Sequence, residues 1–393
     1  MIKQIPITND EIYELSAFAF QFTPTSEEIE KKKKEKEKQN EIVWGWMEGE
    51  ELAAKVHLLP LETRIHGKVI KTGGITNVST WPEHRRKGAV RELLIHAIAE
   101  MKKEGYLISY LAPFSVPFYR KFGWEMTINE MKFTIPMEYV PKFKSAPGYV
   151  RRMKKGDEAV VKEVYQAYTE QYTGMLVRDE LWWEYHVFGK EGFTTAISYD
   201  HEGHADGYMR YKVKENKMDI DEWITVTPDS KKRLLQFMAN HDSMVKEVHM
   251  TLPDDDVLPL FMDEPRAKQE QKPYFMTRIV DVESFLKVYP FQVSAEKEET
   301  YTIKVEDAAF EENSGVYRLH FQDGFHYAEK IEPSAGQDVT TTLTVQQLAM
   351  ILLGKNTLEQ LDEQELITGD FEEMKKLDAY LPVKRHPYLA DFF

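Results

Sequence analysis

From Glu41 the chain runs through short stretches of strand-like alternation, EIVWGWMEG, ELAAKVHLLPLETRIHG and KVIKTGGITNVSTWP, separated by glycine-containing turns. This predicts an antiparallel meander. Ahead of it the first 30 residues read as helix and loop. The run Glu30 to Lys38 (EKKKKEKEK) sets opposite charges three or four positions apart, the pattern of a solvated helix face. Behind the meander the period changes. In AVRELLIHAIAEMKKEG the apolar Val90, Leu93, Leu94, Ala97, Ile98 and Met101 recur at helical spacing, and Gly105 stands where a left-handed C-cap is needed. YLISYLAP then reads as a buried strand, and PFYRKFGW as a short helix and turn.

A second unit begins near Tyr149, where VRRMKKGDEAVVKEVYQAYTEQY gives a polar opening and an amphipathic helix. It echoes the first. Ile224 to Pro228 (ITVTP) precedes the helical DSKKRLLQFMANH much as Val78 to Pro82 (VSTWP) precedes EHRRKGAVRELLIHAI, 146 residues earlier. The second copy lacks a glycine where the first has Gly88, so it is expected to be degenerate. After the acidic, proline-containing loops around Asp254 to Lys272, the strands YTIKVED, GVYRLHF and TTTLTV and the helix start LTVQQLAMILLG form a small α+β module. The expected domains are 1–147, 148–285 and 286–393.

Composition narrows the chemistry. With 393 residues, 42% hydrophobic and 30% charged, the chain supports several packed cores. The net charge of -15 disfavours nucleic acid and anionic membrane and favours a cationic partner. There is no cysteine, so thiol nucleophiles, disulfides and cysteine metal cages are excluded. With no membrane-length apolar stretch and no secretory-type start, the expectation is a cytoplasmic protein. His201-Glu202-Gly203-His204 lacks the zinc-binding i, i+4 spacing, Gly354-Lys355-Asn356-Thr357 lacks the upstream glycine of a P-loop, and no metal is expected. Leu181-Trp182-Trp183-Glu184-Tyr185 reads as core aromatics.

The loop Pro82-Glu83-His84-Arg85-Arg86-Lys87-Gly88-Ala89 joins a strand to a helix N-terminus, where free backbone N–H groups and the helix dipole favour an anion. Arg85, Arg86 and Lys87 add charge where a pyrophosphate would sit, and Gly88 lets the backbone approach it. The loop resembles the acyl-CoA-binding signature of the GCN5-related N-acetyltransferases (GNAT), Gln/Arg-x-x-Gly-x-Gly/Ala after a strand. Arg85 and Gly88 match, while Val90 departs from the final small residue. Phe118-Tyr119-Arg120-Lys121-Phe122-Gly123-Trp124, about 30 residues downstream, resembles the Phe-Tyr-x-x-x-Gly-Phe element of the same superfamily.

The whole-chain order is similar to that of the Eis (enhanced intracellular survival) family of bacterial acetyltransferases, with HRRKG resembling its His-Arg-Arg-Arg-Gly loop. The fold this implies is α+β / α/β: tandem GNAT domains, each a mixed, mostly antiparallel sheet with flanking helices, then a module resembling sterol carrier protein 2. The resemblance implies acetyl-CoA as cosubstrate, with Val78 and Thr80 pairing to its pantetheine arm and the amides of Arg86 to Val90, through Lys87, Gly88 and Ala89, holding its phosphates. It implies Tyr119 as the acid that protonates the leaving thiolate, and the carboxylate of a final phenylalanine, here Phe393, as base or amine-orienting group. Phe22 and Asp391 are assigned to the acceptor by position. The resemblance further implies polyamine-like acceptors, notably aminoglycosides, with lysine side chains as a further class, and a homo-hexamer. A different class of reading is a lipid-binding or scaffold protein with an inert acetyltransferase domain; a carrier needs a continuous apolar cavity and a docking module a filled core. A single dedicated metabolite is a third possibility for the acceptor.

Overall fold

Two-residue turns in which both members take positive φ close the central hairpins of two successive halves of the chain: His66 (46°) with Gly67 (90°), and Glu215 (53°) with Asn216 (61°). Such turns carry the twist that antiparallel strands require. The computed structural model describes residues 1–143, 146–294, 298–332, 339–382 and 385–393. Its strands up to residue 279 are β1 (Ile2–Gln4), β2 (Ile42–Glu48), β3 (Glu51–Ile65), β4 (Lys68–Thr80), β5 (Ile108–Leu111), β6 (Glu125–Pro136), β7 (Tyr149–Arg152), β8 (Met175–Leu176), β9 (Thr194–Tyr199), β10 (Ala205–Lys214), β11 (Lys217–Thr225), β12 (Glu247–Leu252) and β13 (Lys268–Ile279). They form one sheet in the order β1-β2-β3-β4-β5-β13-β6-β12-β11-β10-β9-β7, with β8 on β3.

Helices flank this sheet. They are α1 (Asp10–Phe20), α2 (Ser26–Lys38), α3 (Ala89–Lys103), α4 (Val116–Arg120), α5 (Glu158–Thr169), α6 (Glu180–Trp182, continuing as a π-helical turn to Phe188) and α7 (Pro228–Ala239). The charge run lies on α2, which buries none of its residues. The apolar stripe of α3 buries Leu93, Leu94, Ala97, Ile98 and Met101 against Val56, Leu58 and Ile75 of the meander. Each of the larger side chains, the leucines, Ile98 and Met101, contributes about 1.5–3 kcal/mol of transfer free energy. Among the described residues no helix is long and apolar enough to cross a membrane.

The third module follows α8 (Val282–Val288). Its strands β14 (Glu299–Glu306), β15 (Gly315–Gln322), β16 (Phe325–Ile331), β17 (Thr341–Thr344) and β18 (Thr368–Gly369) order as β16-β15-β14-β17-β18, and α9 (Val345–Leu352) packs beside them. Strand β16 was not expected from the sequence. It is an edge strand that buries only Ala328, so it shows little alternation. The polar start of β13 likewise carries no strand alternation; Lys268 to Gln271 lie exposed at the end of a strand that becomes buried only at Phe275.

One buried ion pair pins the three parts together. Arg278 on β13, fully buried, donates to the Phe122 carbonyl and to Asp307 just past β14. Asp307 also accepts from Asn313 Nδ2 (3.1 Å) and from the Ala309 and Phe310 amides (3.2 and 3.1 Å). A Cβ at residue 123 would overlap the guanidinium, so only glycine fits there. Removing one partner of a buried pair strands the other charge. Asp307→Ala is therefore expected to lower unfolding free energy by about 3–5 kcal/mol, measured as an earlier urea midpoint, and adding Arg278→Met should recover part of the loss.

Candidate active site

The site is built where β4 leaves its neighbour. β4 pairs with β5 only over Thr72–Gly74 against Ile108–Tyr110, and beyond Gly74 the two strands part. On its other side β4 bulges: Thr76 faces His57 and Ser79 faces Lys55, so Asn77 and Val78 together oppose Val56. Asn77 takes φ 49°. A bulge redirects the backbone and breaks the ladder locally. The β5-facing edge of β4 over Thr76–Thr80 therefore has no strand partner among the described residues.

The chain then turns into α3 through the basic loop. Arg86 has φ 65° and Gly88, the N-cap, φ 90°, and no side chain caps the helix. Its first N–H groups stay free, and successive amides in such a left-handed turn form an anion-binding concavity. The matching helix in the second half is closed. At α7 the Thr227 hydroxyl accepts from the Ser230 amide (3.0 Å), the Ser230 hydroxyl accepts from the Thr227 amide (3.2 Å), and Pro228 removes one donor. Behind it Arg233 is buried and donates to Asp206, to the Pro147 carbonyl and to Ser198 Oγ. The strand-to-helix echo is present, and its anion-binding chemistry is spent internally.

A cleft of about 770 Å³ opens at the free end of α3. It is lined by Val78, Ser79, Thr80, Arg85, Arg86, Gly88, Ala89, Val90 and Arg91, together with Ala19, Phe20, Phe114 and Phe118. Of the residues assigned to acetyl-CoA from the sequence, Lys87 alone does not line the cleft; its ammonium lies 3.4 Å from Glu48. Tyr119 stands directly behind the aromatic wall, 3% exposed, its ring 5.3 Å from that of Phe114 and 5.2 Å from that of Phe118. Burial pushes its phenol above the ordinary range, so it is a neutral donor at pH 7.

The tail crosses to the first half. Thr173 exchanges backbone hydrogen bonds with His386 and Tyr388 (3.1 and 2.9 Å), which leads the chain under β4. Asp391 is buried, and its carboxylate accepts from Trp182 Nε1 (2.7 Å), Arg178 Nε (2.9 Å) and the Tyr165 hydroxyl (3.2 Å); Arg178 also pairs with Glu222. Asp391 thus anchors the tail with all its acceptor capacity in use. The Phe393 ring then lies 4.9 Å from Phe275 and 6.1 Å from Trp182, under Gly74, where an added Cβ would come within 2.7 Å of it. A cavity of about 290 Å³, lined by Leu61, Glu62, Arg178, Asp179 and Trp182 among others, adjoins this seat.

Phe22 stays outside both cavities, exposed, with the Lys32 ammonium 5.0 Å over its ring. The cleft residue from that segment is Phe20, at the end of α1. Helical spacing could have found it, because Ser16, Ala19 and Phe20 share one face. Phe114 carried no motif; Trp182, read as core, is core and also holds the tail. At the exposed turn after β9, the side chains of Asp200, Glu202 and His204 gather, with Asp200 accepting from the Glu202 and His204 amides (2.9 Å each).

Comparison with known proteins agrees with this geometry. Residues 8–127 and 174–279 each match an acetyltransferase (GNAT) domain, and residues 282–390 a sterol carrier protein domain. An uncharacterised N-acetyltransferase of Streptomyces avermitilis is 24% identical over 358 residues, covering 84% of this chain and 83% of that protein. The N-acetyltransferase Eis of Mycobacterium tuberculosis is 23% identical over 350 residues, with coverage of 84% and 83%. A probable N-acyltransferase from Enterococcus faecalis superposes with a TM-score of 0.90 at 29% identity over 100% of this chain and 99% of its own. Eis1 of Mycobacterium abscessus shares the fold, with a TM-score of 0.79 at 16% identity over the full length of both. The chain is therefore an N-acetyltransferase that carries two GNAT domains in tandem and ends in a sterol-carrier-like domain, similar over most of its length to the N-acetyltransferases named Eis.

Proposed function

We propose that the protein transfers an acetyl group from acetyl-CoA directly to an amine of a small cationic acceptor, of the aminoglycoside or polyamine kind, with lysine side chains as a further class. The uncapped α3 N-terminus facing a cleft that holds Arg85, Arg86 and Arg91, with Tyr119 behind it, carries this reading. The amides of Arg86 to Val90 are disposed to hold a pyrophosphate, and the open edge of β4 at Val78 and Thr80 offers backbone groups to the pantetheine arm. An N–H on that edge would stabilise the oxyanion as the amine adds to the thioester carbonyl. Tyr119 gives its proton to the departing thiolate. With no cysteine to carry an acyl group, transfer within a ternary complex is the consistent route.

On the acceptor side, the net charge of -15 supports a cationic ligand; the cavity beside the Phe393 seat is lined by Glu62 and Asp179 and equally by Lys71 and Arg178. The carboxyl group of Phe393, assigned from the family resemblance, would bind the ammonium and relay its proton through water, since a carboxylate of pKa about 3.5 is a weak base toward an amine. Cytoplasmic residence and hexameric assembly belong to the same reading, and light scattering tests the second. The lipid-carrier alternative is disfavoured by the third domain's interior. The apolar cavity among its described residues that is lined by Leu286, Leu319, Leu348 and Leu377 has only about 20 Å³, room for about one water and far too little for a lipid chain.

Thiol release from acetyl-CoA with an aminoglycoside acceptor tests the assignment. Tyr119→Phe should lose about 100-fold or more in kcat, the size of a general-acid contribution, and deletion of Phe393 about tenfold or more with acetyl-CoA affinity retained; a fully active deletion variant removes that carboxylate from the mechanism. Gly74→Val should unseat the Phe393 ring at a cost of about 1–3 kcal/mol in stability. Its kcat should fall as in the deletion variant, with acetyl-CoA binding by calorimetry unchanged.

A further inference from the structure

Behind the cleft wall lies a buried polar chain that the transfer reaction, as described, leaves unused. Lys55 and His57 are adjacent on one face of β3, and both are fully buried. The Lys55 ammonium has three partners: Ser16 Oγ at 2.8 Å, His57 Nε2 at 2.9 Å and the Asn77 carbonyl at 3.3 Å. His57 Nδ1 bonds to buried Glu41, which fixes Nε2 as an acceptor. Glu41 in turn takes the Lys36 ammonium on both oxygens, at 2.5 and 2.6 Å. All three groups around Lys55 can accept, which matches the three N–H donors of an ammonium. No carboxylate touches it, so a buried cation here is costly, and a methionine would fill the same space without that cost.

The location gives the arrangement a use. Asn77 is the left-handed residue of the β4 bulge and immediately precedes Val78, which lines the acetyl-CoA cleft. Ser16 lies one helical turn before Ala19 and Phe20, which also line the cleft. Lys55 therefore ties α1 to β4 beside the cleft and, together with Ser79 Oγ (3.3 Å), holds the Asn77 carbonyl, whose peptide sets the direction of the next backbone N–H. We infer that Lys55 is a positioning residue for acyl transfer: held by His57 and Glu41, its ammonium fixes the Asn77 carbonyl and so aims the Val78 segment at the thioester.

This rests on the acetyl-transfer reading and adds a pH dependence to it. Burial, then the Lys36 charge, push Lys55 down to about 7, while Glu41 opposes them. The groups facing this chain are Tyr13 and Ser16 on α1, Lys36 on α2, Glu41 ahead of β2, His57 on β3 and Asn77 on β4, with His186 after α6 sensing both Lys36 and Glu41. His57 is held down to about 3, chiefly by burial and then by Lys55, so it stays neutral; burial raises Glu41, but His57 and Lys36 outweigh it and hold it at about 2. Lys55 is thus the group in the chain whose charge changes near neutrality. Above about pH 7 it loses the third donor, and transfer should decline.

The test is the pH profile of kcat for thiol release, with Lys55→Met and Glu41→Gln beside the wild type and acetyl-CoA binding by calorimetry as the check on folding. Lys55→Met should lose at least tenfold in kcat, keep KM for acetyl-CoA within about twofold and lose the falling limb near pH 7. Glu41→Gln, which removes the charge that supports the ammonium, should shift that limb to lower pH. A folded Lys55→Met enzyme with wild-type kcat overturns the inference, and so does one with lower kcat whose falling limb is unchanged, because that is the mark of a merely structural lysine. If the wild type releases no thiol with the aminoglycoside, the acceptor reading fails, and the Val78 amide resonance followed over pH 6 to 8.5 decides the positioning role. A midpoint near 7 that vanishes in Lys55→Met supports it, and an amide insensitive to pH overturns it.

Discussion

Strand β13 is the constraint on which the remaining architecture depends. Strands β5 and β6, neighbours in sequence, are separated in space, and the twelve residues of β13 fill the gap by pairing antiparallel to both. Buried backbone groups need partners, so the first half is incomplete without the last strand of the second. The same strand carries side-chain ties to everything around it. Arg278 reaches the turn after α4 and the third module, the Tyr274 hydroxyl donates to the Asp391 carbonyl (2.9 Å), and the Phe275 ring seats Phe393. Cleft, tail and domain packing are thus referred to one strand.

The two helix termini related by the internal echo show how little separates a binding site from a structural joint. In both, a strand delivers the chain to a helix whose first amides lack partners. At α7, Thr227 and Ser230 satisfy those amides and Pro228 removes one, while Arg233 is committed to Asp206. At α3, the left-handed Gly88 caps without a side chain, and the arginines remain directed at the cleft. The dipole is shared, and the differences lie in the N-cap, left-handed at Gly88 and extended at Thr227, and in which donors have been consumed internally.

What could be read from the sequence was what is local. The meander, the α3 stripe, the loop from Pro82 to Ala89 and the helical echo at Pro228 are encoded within windows of about fifteen residues or fewer, and the structure places them as their periodicity implied. The insertion of β13 is invisible to such reading, since its partners lie more than 130 residues upstream and its first residues are polar. Asp391 and Phe22 were assigned by position alone; one is consumed by Tyr165, Arg178 and Trp182, and the other sits outside both cavities because the α1 face that lines the cleft ends at Phe20. The Lys55 chain is not legible in the sequence because its members look like ordinary strand alternation until tertiary packing buries them.

The placement of β13 also sets an order on the making of the protein. A ribosome delivers β5 and β6 long before residue 268, and until then the facing edges of those strands have hydrogen-bonding groups and no partner. Unpaired edges are templates for other chains, and contacts of long sequence separation form slowly. The first domain cannot mature as it emerges. The nascent chain must keep two open edges apart from their neighbours for the time taken to add nearly 150 residues, roughly seven to thirty seconds at common elongation rates. The demand for a chaperone therefore falls on that interval rather than on the finished enzyme.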